Sequence, residues 1–212
     1  MLKIVPAILT PDFESFKQQL AKLEGLFDTV QIDIMDGQFV PNKSFEEIEE
    51  INGLKTKVSF ELHLMVENPL TEMAKWTEIK NVRRVIFHLE AGDPGPAINF
   101  ARGYCWQVGL ALNPETPLTK AEPYYKLVNE ILFMTVHPGR QGAKFLPEVG
   151  EKIKTLADLK ERPLIAVDGG INEKNIAEVK SWGAEIFCIG SALTMAEDVK
   201  KTYQELSKLL KE

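Results

Sequence analysis

The feature that most constrains the fold is a regular alternation of short β-type runs with longer helical patterns. Eight apolar runs rich in β-branched residues are each followed by a segment of helical or loop character. They span residues 4–9, 29–35, 59–65, 84–91, 107–113, 131–139, 163–170 and 185–193. Eight β-then-α units in one chain favour an α/β architecture, the (β/α)8 TIM barrel.

The helical patterns between these runs support the same fold. The apolar spacing or composition predicts helices over 12–25, 45–52, 70–79, 95–103, 121–128, 146–161, 172–183 and 197–211. No Gly/Ser-rich linker interrupts the alternation, so residues 1–212 are expected to form a single domain. The main competitor is a doubly wound open sheet, but the chain reads "ILTPDF" where that fold would carry its glycine-rich fingerprint.

Composition excludes several classes of function. The chain is 44% hydrophobic and 26% charged, with a net charge of −6 and no long run of one sign, which argues against a nucleic-acid or membrane-docking surface. No apolar run approaches the roughly 18 residues of a membrane span, and the N-terminus lacks a signal-peptide pattern. Cys105 and Cys188 lie far apart, as expected for a cytoplasmic protein. A homo-oligomer remains open.

Polar residues gather at the carboxyl ends of the predicted strands, the edge where such barrels carry their chemistry. They are Asp33, Asp36, His63, His88, Glu90, His137 and Asp168. A single strand histidine is most often structural, but all three histidines of the chain at one end of the barrel favour a functional site.

The period of two along a strand sharpens this set. Gln31 and Asp33 share one face of the second strand, and His63 and Met65 share one face of the third. If both faces point into the barrel, Asp33 and His63 converge and Asp168 approaches across the mouth. Three such ligands suit a divalent metal ion, and a buried network of satisfied hydrogen bonds is the alternative.

Glycine-rich turns follow the seventh and eighth strands, where such barrels often bind phosphate on backbone N–H groups. The candidates are Gly169, Gly170, Gly190 and Ser191. The alternative is that these glycines only permit tight turns. The segment 137–145 could fold over the site as a lid, with Arg140 meeting the phosphate or facing water.

Three methionines also end strands: Met35, Met65 and Met134. Core filling is the usual role of methionine. At these positions the methionines could instead form an apolar wall that keeps water from a reacting carbon.

Seven motifs in this order resemble the ribulose-phosphate 3-epimerase family across nearly the whole chain. They are "VQIDIMDGQFVPN", "ELHLMVENP", "IFHLEA", "LALNPETP", "MTVHPG", "VDGGI" and "GSA". The resemblance implies a (β/α)8 barrel that interconverts ribulose 5-phosphate and xylulose 5-phosphate by inverting C3, with a small sugar phosphate as its partner.

The resemblance also implies roles for individual residues. Asp33 and Asp168 would be the two acid/base groups and, with His63, would bind a divalent ion such as Zn, Mn, Fe or Mg. Gln31, His63 and the three methionines would surround the reacting centre, and Gly142 with the two glycine turns would lie at the phosphate. Two carboxyl groups suit this chemistry, because inversion beside a carbonyl removes a proton from one face and returns one to the other.

The chain departs from the family pattern around these residues. Gln31 stands where the family carries a metal-binding histidine, and an amide oxygen is a weaker ligand for zinc-like ions. Ala7 replaces a substrate-contacting serine, for which Thr10 could compensate. In the loop "PGRQGA", Gln141 replaces a glycine and Ala143 replaces a glutamine, whereas Gly142 keeps its place, and "NKSFEE" lacks a glycine.

Three interpretations therefore stay open. The first is an active epimerase with a weaker, different or absent metal, in which Gln31 could donate a hydrogen bond to the enediolate. The second is a related barrel enzyme acting on another sugar phosphate. The third is a non-catalytic sugar-phosphate-binding protein, against which the retention of both Asp33 and Asp168 counts.

Overall fold

The structure, a computed structural model that describes residues 2–139 and 143–211, contains the predicted barrel. Within these residues, parallel strands pair in chain order and the last pairs with the first, so the sheet closes. The strands are β1 Lys3–Ile8, β2 Thr29–Met35, β3 Ser59–Met65, β4 Val82–His88, β5 Gln107–Leu112, β6 Glu130–Met134, β7 Leu164–Asp168 and β8 Ile186–Ile189.

Helices follow most of the strands and cover the outside of the barrel. They are α1 Phe13–Leu23, α2 Ile48–Asn52, α3 Pro69–Lys75, α4 Gly95–Gly103, α5 Gly150–Ala157, α6 Ile176–Ser181, α7 Ser191–Thr194 and α8 Val199–Lys211. Side-chain caps fix two of the starts: Asp12 accepts the N–H of Ser15 at 2.8 Å, and Asn68 accepts that of Thr71 at 3.0 Å. Among the described residues, no helix is both long and apolar enough to span a membrane.

The alternation of side chains along each strand creates two apolar layers. One phase points outward and packs under the helices with Phe16, Phe60 and Trp76, all of which are fully buried. The other phase points into the barrel, where Ile86 and Leu132 belong to a smaller cluster. The inward phase also carries the polar side chains of the site. These polar side chains lie at the mouth of the barrel, where they are available for binding or catalysis.

An ion-pair network fills the barrel below the mouth. Arg84 lies 3.1 Å from Glu61 and 2.5 Å from Glu130, and Lys3 reaches Glu61 at 3.4 Å from the rim. Burial raises the pKa of Glu130 to about 7, with Arg84 opposing the shift. Such buried ion pairs add little net stability. They fill the interior of the barrel beneath the site with acidic and basic side chains whose charges offset one another.

Several predicted elements are shorter in the structure, and the differences in one helix and one strand change how the chain runs. The helix predicted over 121–128 contains only a 3-10 turn at Glu122–Tyr124, which follows another at Leu118–Lys120. Pro123 prevents the two turns from joining in one α-helix, because it has no N–H to donate to the carbonyl group of residue 119. The sixth strand ends at Met134 rather than at residue 139. The chain leaves the barrel there and turns through Pro138 and Gly139.

Candidate active site

Three strand ends bring Asp33, His63 and Asp168 together at the mouth of the barrel. Asp33 and His63 are direct partners in the β2–β3 register, and Asp168 ends β7. The Nδ1 atom of His63 lies 3.1 Å from Asp33 Oδ1 and 3.4 Å from Asp168 Oδ2. The convergence expected from the strand periodicity is therefore present.

Gln31 lies one step deeper on β2 and is completely buried, with 0% of its surface exposed. Its amide nitrogen Nε2 donates to Asp33 Oδ1 at 2.8 Å and to Asp168 Oδ2 at 2.6 Å. The same nitrogen lies 3.5 Å from His63 Nδ1. Gln31, at the position where the family pattern has a histidine, therefore bridges the two carboxyl groups through hydrogen bonds from one nitrogen.

The donor atoms around Asp33, His63 and Asp168 determine whether this cluster can hold a metal ion. Asp33, His63 and Asp168 each offer one ligand atom, and these atoms lie within 4.8 Å of one another, so the cluster could hold a metal ion. Gln31, however, turns a hydrogen-bond donor rather than an acceptor toward that cluster. The set therefore does not fit an ion while the Gln31 amide keeps this orientation.

A chain of contacts continues from His63 away from the carboxyl groups. His63 Nε2 lies 3.0 Å from His88 Nε2, and His88 Nδ1 lies 3.4 Å from Glu90 Oε2. Glu90 in turn accepts the N–H of Asn113 at 2.9 Å and the hydroxyl of Thr116. These contacts fix the orientation of the His63 ring from its far side.

The surroundings raise the pKa values of Asp33 and His63 and lower that of His88. Burial raises the pKa of Asp33, against the hydrogen bond from His63. Burial alone lowers the pKa of His63, but hydrogen bonds to Asp168 and Asp33 outweigh it and raise the pKa to about 9. Burial lowers the pKa of His88. A protonated His63 can then donate to the carboxyl groups through Nδ1 and to a neutral His88 through Nε2.

A cavity of about 400 Å³ opens above the carboxyl groups. Met65 and Met134 line it together with Val136, beside Asp33 and Asp168. Met35 is buried behind Met65 rather than on the cavity surface. Two of the three methionines predicted as a wall thus face the cavity, and the third packs in one cluster with Met65.

The glycine turns after β7 and β8 line the same cavity. Gly169, Gly170, Gly190 and Ser191 all line it. Gly169 has a φ of +116°, and a Cβ there would lie 2.6 Å from Val136 Cγ2, so the chain needs glycine to turn here. Arg140 and Gly142 lie outside the described residues.

Other predicted residues fall into different places. His137 is exposed and pairs with Glu115 at 3.0 Å, so its position after β6 does not bring it into the cluster. Ala7 lines the cavity, whereas Thr10 is buried away from it, among the described residues. Asp36 accepts the N–H groups of its own loop and of Glu67, in a structural role.

Among the cavity residues, Asn172 was not identified from the sequence, and Phe145 was included only as the last residue of the predicted lid segment 137–145. Asn172 ends the run "VDGGIN", and its amide nitrogen donates to Gly170 O at 3.0 Å, so the motif itself was a signal. Phe145 lines the cavity and stacks on Trp182, with ring centroids 5.9 Å apart. Nothing in the local sequence predicts the stacking of Phe145 on Trp182, because the two residues lie far apart in the chain.

Comparisons with known proteins agree with this arrangement. A model of the ribulose-phosphate 3 epimerase family matches residues 3–194. The ribulose-phosphate 3-epimerase of Bacillus subtilis is 34% identical over 97% of this chain and 98% of its own length, and that of Aquifex aeolicus is 30% identical over 99% and 97%. The 3-hexulose-6-phosphate synthase structure from Salmonella typhimurium shares the fold, with a TM-score of 0.73 at 15% identity over 99% of this chain and 98% of that one. The chain belongs to the ribulose-phosphate 3-epimerase family.

Proposed function

We propose that this protein interconverts ribulose 5-phosphate and xylulose 5-phosphate by proton transfer at C3. The single observation that carries the proposal is the pair of carboxyl groups, Asp33 and Asp168, held together in a cavity that glycine-rich turns also line. Family membership supports the same reaction.

The reaction needs two proton carriers. One of the two carboxylates removes the C3 proton from its own face of the sugar, and the electron pair moves toward the C2 carbonyl oxygen to give an enediolate. The other carboxyl group, already protonated, delivers its proton to C3 from the opposite face. The two groups exchange protonation states in each turnover, so the reaction consumes no co-reactant.

The rest of the cavity supports this chemistry. The apolar surfaces of Met65, Met134 and Val136 would keep water from the enediolate. The N–H groups of the 169–170 and 190–191 turns would bind the phosphate, and they lie in the same cavity as the carboxyl groups. Gly142 would join them, as the family pattern implies.

A divalent ion such as Zn, Mn, Fe or Mg would be held by Asp33, His63 and Asp168 and would stabilise the charge of an enediolate. The donor group of Gln31 on the same oxygens does not fit that ion. The steps above therefore use only groups that belong to the chain.

One observation favours a second candidate, a related enzyme acting on another sugar phosphate. Ala7 lines the cavity at the position where the family pattern has a serine, so one polar contact to the sugar is absent. A cavity with fewer polar groups at this point could accept a ketose phosphate of different length or hydroxyl pattern.

The partner proposed is thus a small phosphorylated sugar and not a nucleic acid, in keeping with the net charge of −6. Cys105 and Cys188 are both free thiols, which supports a reducing compartment such as the cytoplasm. A homo-oligomer remains a prediction.

The experiment is a comparison of substrates. The purified protein is incubated separately with ribulose 5-phosphate and with ketohexose 6-phosphates, and the C3 epimers are resolved by NMR. We expect the highest kcat/KM with ribulose 5-phosphate. Preference for a hexose phosphate would support the second candidate, and the absence of any epimer from every sugar would refute both.

A further inference from the structure

The Gln31 side chain makes an unusual set of contacts for a buried amide. Its two N–H bonds go to two different carboxyl groups, at 2.8 Å to Asp33 Oδ1 and 2.6 Å to Asp168 Oδ2. Its oxygen Oε1 is buried, and among the described residues it has no hydrogen-bond partner. Leaving a buried acceptor unpaired costs about 1–3 kcal/mol, so the two bonds on the nitrogen must outweigh that loss.

The orientation of this amide follows from charge. A glutamine amide can be assigned in two ways, which exchange its oxygen and nitrogen. The reversed assignment would place a carbonyl oxygen 2.6 and 2.8 Å from carboxylate oxygens, where acceptors repel one another. The donor orientation pairs both oxygens, and it does so whether or not one of the two carboxyl groups carries a proton on its other oxygen.

An ion bound to the same oxygens would compete with the amide. A zinc-like ion lies about 2.0–2.2 Å from its nitrogen and oxygen ligands. The Gln31 nitrogen is within 3.5 Å of all three ligand atoms of Asp33, His63 and Asp168, and its hydrogens point at two of them. The ion could enter only if the amide turned its hydrogens away, which would break both bonds.

The amide also supplies what the two carboxyl groups need from a partner. Two buried carboxylates repel each other, and an N–H donor on each offsets that repulsion and fixes the oxygens in place. Gln31 lines no part of the cavity, among the described residues, and it therefore acts through Asp33 and Asp168 rather than on the sugar.

We propose that the Gln31 amide takes the place of the metal ion in this protein: it bridges Asp33 and Asp168 in their working positions, and C3 epimerisation proceeds without a divalent cation. The inference rests on the proposed epimerase function. It makes Gln31 a positioning residue and leaves the proton transfers to the two carboxyl groups, as written above.

The first experiment measures metal binding, which does not depend on activity. The wild-type protein and Gln31→His are purified in parallel, analysed for bound metal and titrated with zinc chloride by calorimetry after treatment with EDTA. We expect far less than one ion per wild-type chain. Gln31→His, which offers a fourth ligand and removes the bridging donor, is expected to bind zinc more tightly by about 10- to 100-fold or more, since even an outer partner of a ligand contributes that much.

The second experiment measures turnover of ribulose 5-phosphate in D2O. We expect the wild-type rate to be unchanged by EDTA and the Gln31→His rate to depend on added zinc. Gln31→Leu, of similar size but without donors, is expected to lower kcat by about 100-fold, the effect of a small misplacement of catalytic groups, with little change in KM. Unfolding in urea checks that each variant is folded.

The outcomes separate the two proposals. A tightly bound ion in the wild-type protein, or a wild-type rate that EDTA abolishes and a metal restores, overturns the role of Gln31 while leaving the epimerase function intact. If the wild-type protein turns over no ribulose 5-phosphate in any metal state, the epimerase function fails. The calorimetry still decides in that case, since equal zinc affinity in the wild-type protein and Gln31→His would refute the exclusion of the ion by Gln31.

Discussion

Asp168→Asn removes one of the two facing carboxyl groups and leaves Asp33 in place. One positioned acid or base contributes about 10²–10⁴-fold to a rate, which is about 3–5 kcal/mol of transition-state stabilisation. Epimerisation by this variant should fall by that factor. The fold should be affected little, because asparagine can still offer an oxygen to Gln31 Nε2, now 2.6 Å from Asp168 Oδ2.

The stability change can be bounded from the same contacts. A hydrogen bond to a charged acceptor is stronger than a neutral one by about 1 kcal/mol, and Asp168→Asn loses that difference. The substitution also removes the repulsion between two buried carboxyl groups, and it takes one charged partner from His63, whose Nδ1 lies 3.4 Å from Asp168 Oδ2. The relieved repulsion offsets part of the two losses, so the free energy of unfolding in urea should fall by no more than about 1–3 kcal/mol.

The remaining carboxyl group gives the variant a distinctive behaviour. In D2O, Asp33 alone can remove a proton from one face of C3 and return a deuteron to that same face. Asp168→Asn should therefore incorporate deuterium into one of the two pentulose phosphates without inverting it, and Asp33→Asn should do so with the other sugar. Proton NMR resolves the C3 signals of both sugars.

Two results would refute this reasoning. One is epimerisation by either single variant at the wild-type rate, which would mean that the altered group is not an acid or base in the reaction. The other is equal deuterium exchange into both sugars by the same variant, which would mean that the two carboxyl groups do not serve opposite faces.

Three further predictions concern the support of the site. Gly169→Ala places a Cβ 2.6 Å from Val136 at a φ of +116°; it should destabilise the protein by about 1–3 kcal/mol and raise KM for the sugar phosphate in steady-state kinetics. His88→Leu leaves His63 Nε2 unpaired and should lower the free energy of unfolding by about 1–3 kcal/mol. Burial would raise the pKa of Asp36, but hydrogen bonds from backbone N–H groups lower it below the ordinary value of 3.8. The stability that Asp36 contributes is therefore present above pH 3.8 and is lost as the pH falls through the lower pKa of the folded state. Asp36→Ala should flatten the acid limb of a curve of unfolding free energy against pH.

Matched controls separate these effects from general damage. Gly92 has a φ of +114° with nothing within 4 Å of its Cβ position, so Gly92→Ala reports backbone strain alone. If it raises KM as much as Gly169→Ala, the phosphate assignment loses its support. His88→Gln can still pair with the His63 ring and should be more stable than His88→Leu. An unchanged acid limb in Asp36→Ala would show that its loop bonds do not stabilise the fold.

The architecture and the positions of the main site residues were predictable because they follow from strand phase. Asp33 and His63 lie on the inward phase of neighbouring parallel strands, and parallel strands end at the same edge of a barrel. Their convergence therefore needs only the correct strand assignment. Gly169 and Gly170 were predictable for a similar reason, since a glycine pair at a strand end marks a turn.

Other features depend on side-chain rotation and loop path, which the sequence does not encode locally. Gln31 was expected as a weaker ligand or as a donor to substrate, because its position was known but not the direction of its amide. The bonds to Asp33 and Asp168 appear only once three strands are assembled. His137 was grouped with the site by its place after a strand, but β6 ends at Met134 and the chain has already left the barrel.

The most direct test of metal-free epimerisation is deuterium incorporation by the wild-type protein after EDTA has removed bound metal. The protein is incubated with ribulose 5-phosphate in D2O, and the C3 signals of both pentulose phosphates are followed by NMR, with elemental analysis of the same sample. The account predicts deuterium at C3 and the appearance of xylulose 5-phosphate in the absence of metal. No deuterium at C3 in the metal-free sample would contradict metal-free epimerisation, and the failure of added zinc, manganese, iron or magnesium to restore exchange would also contradict the epimerase function.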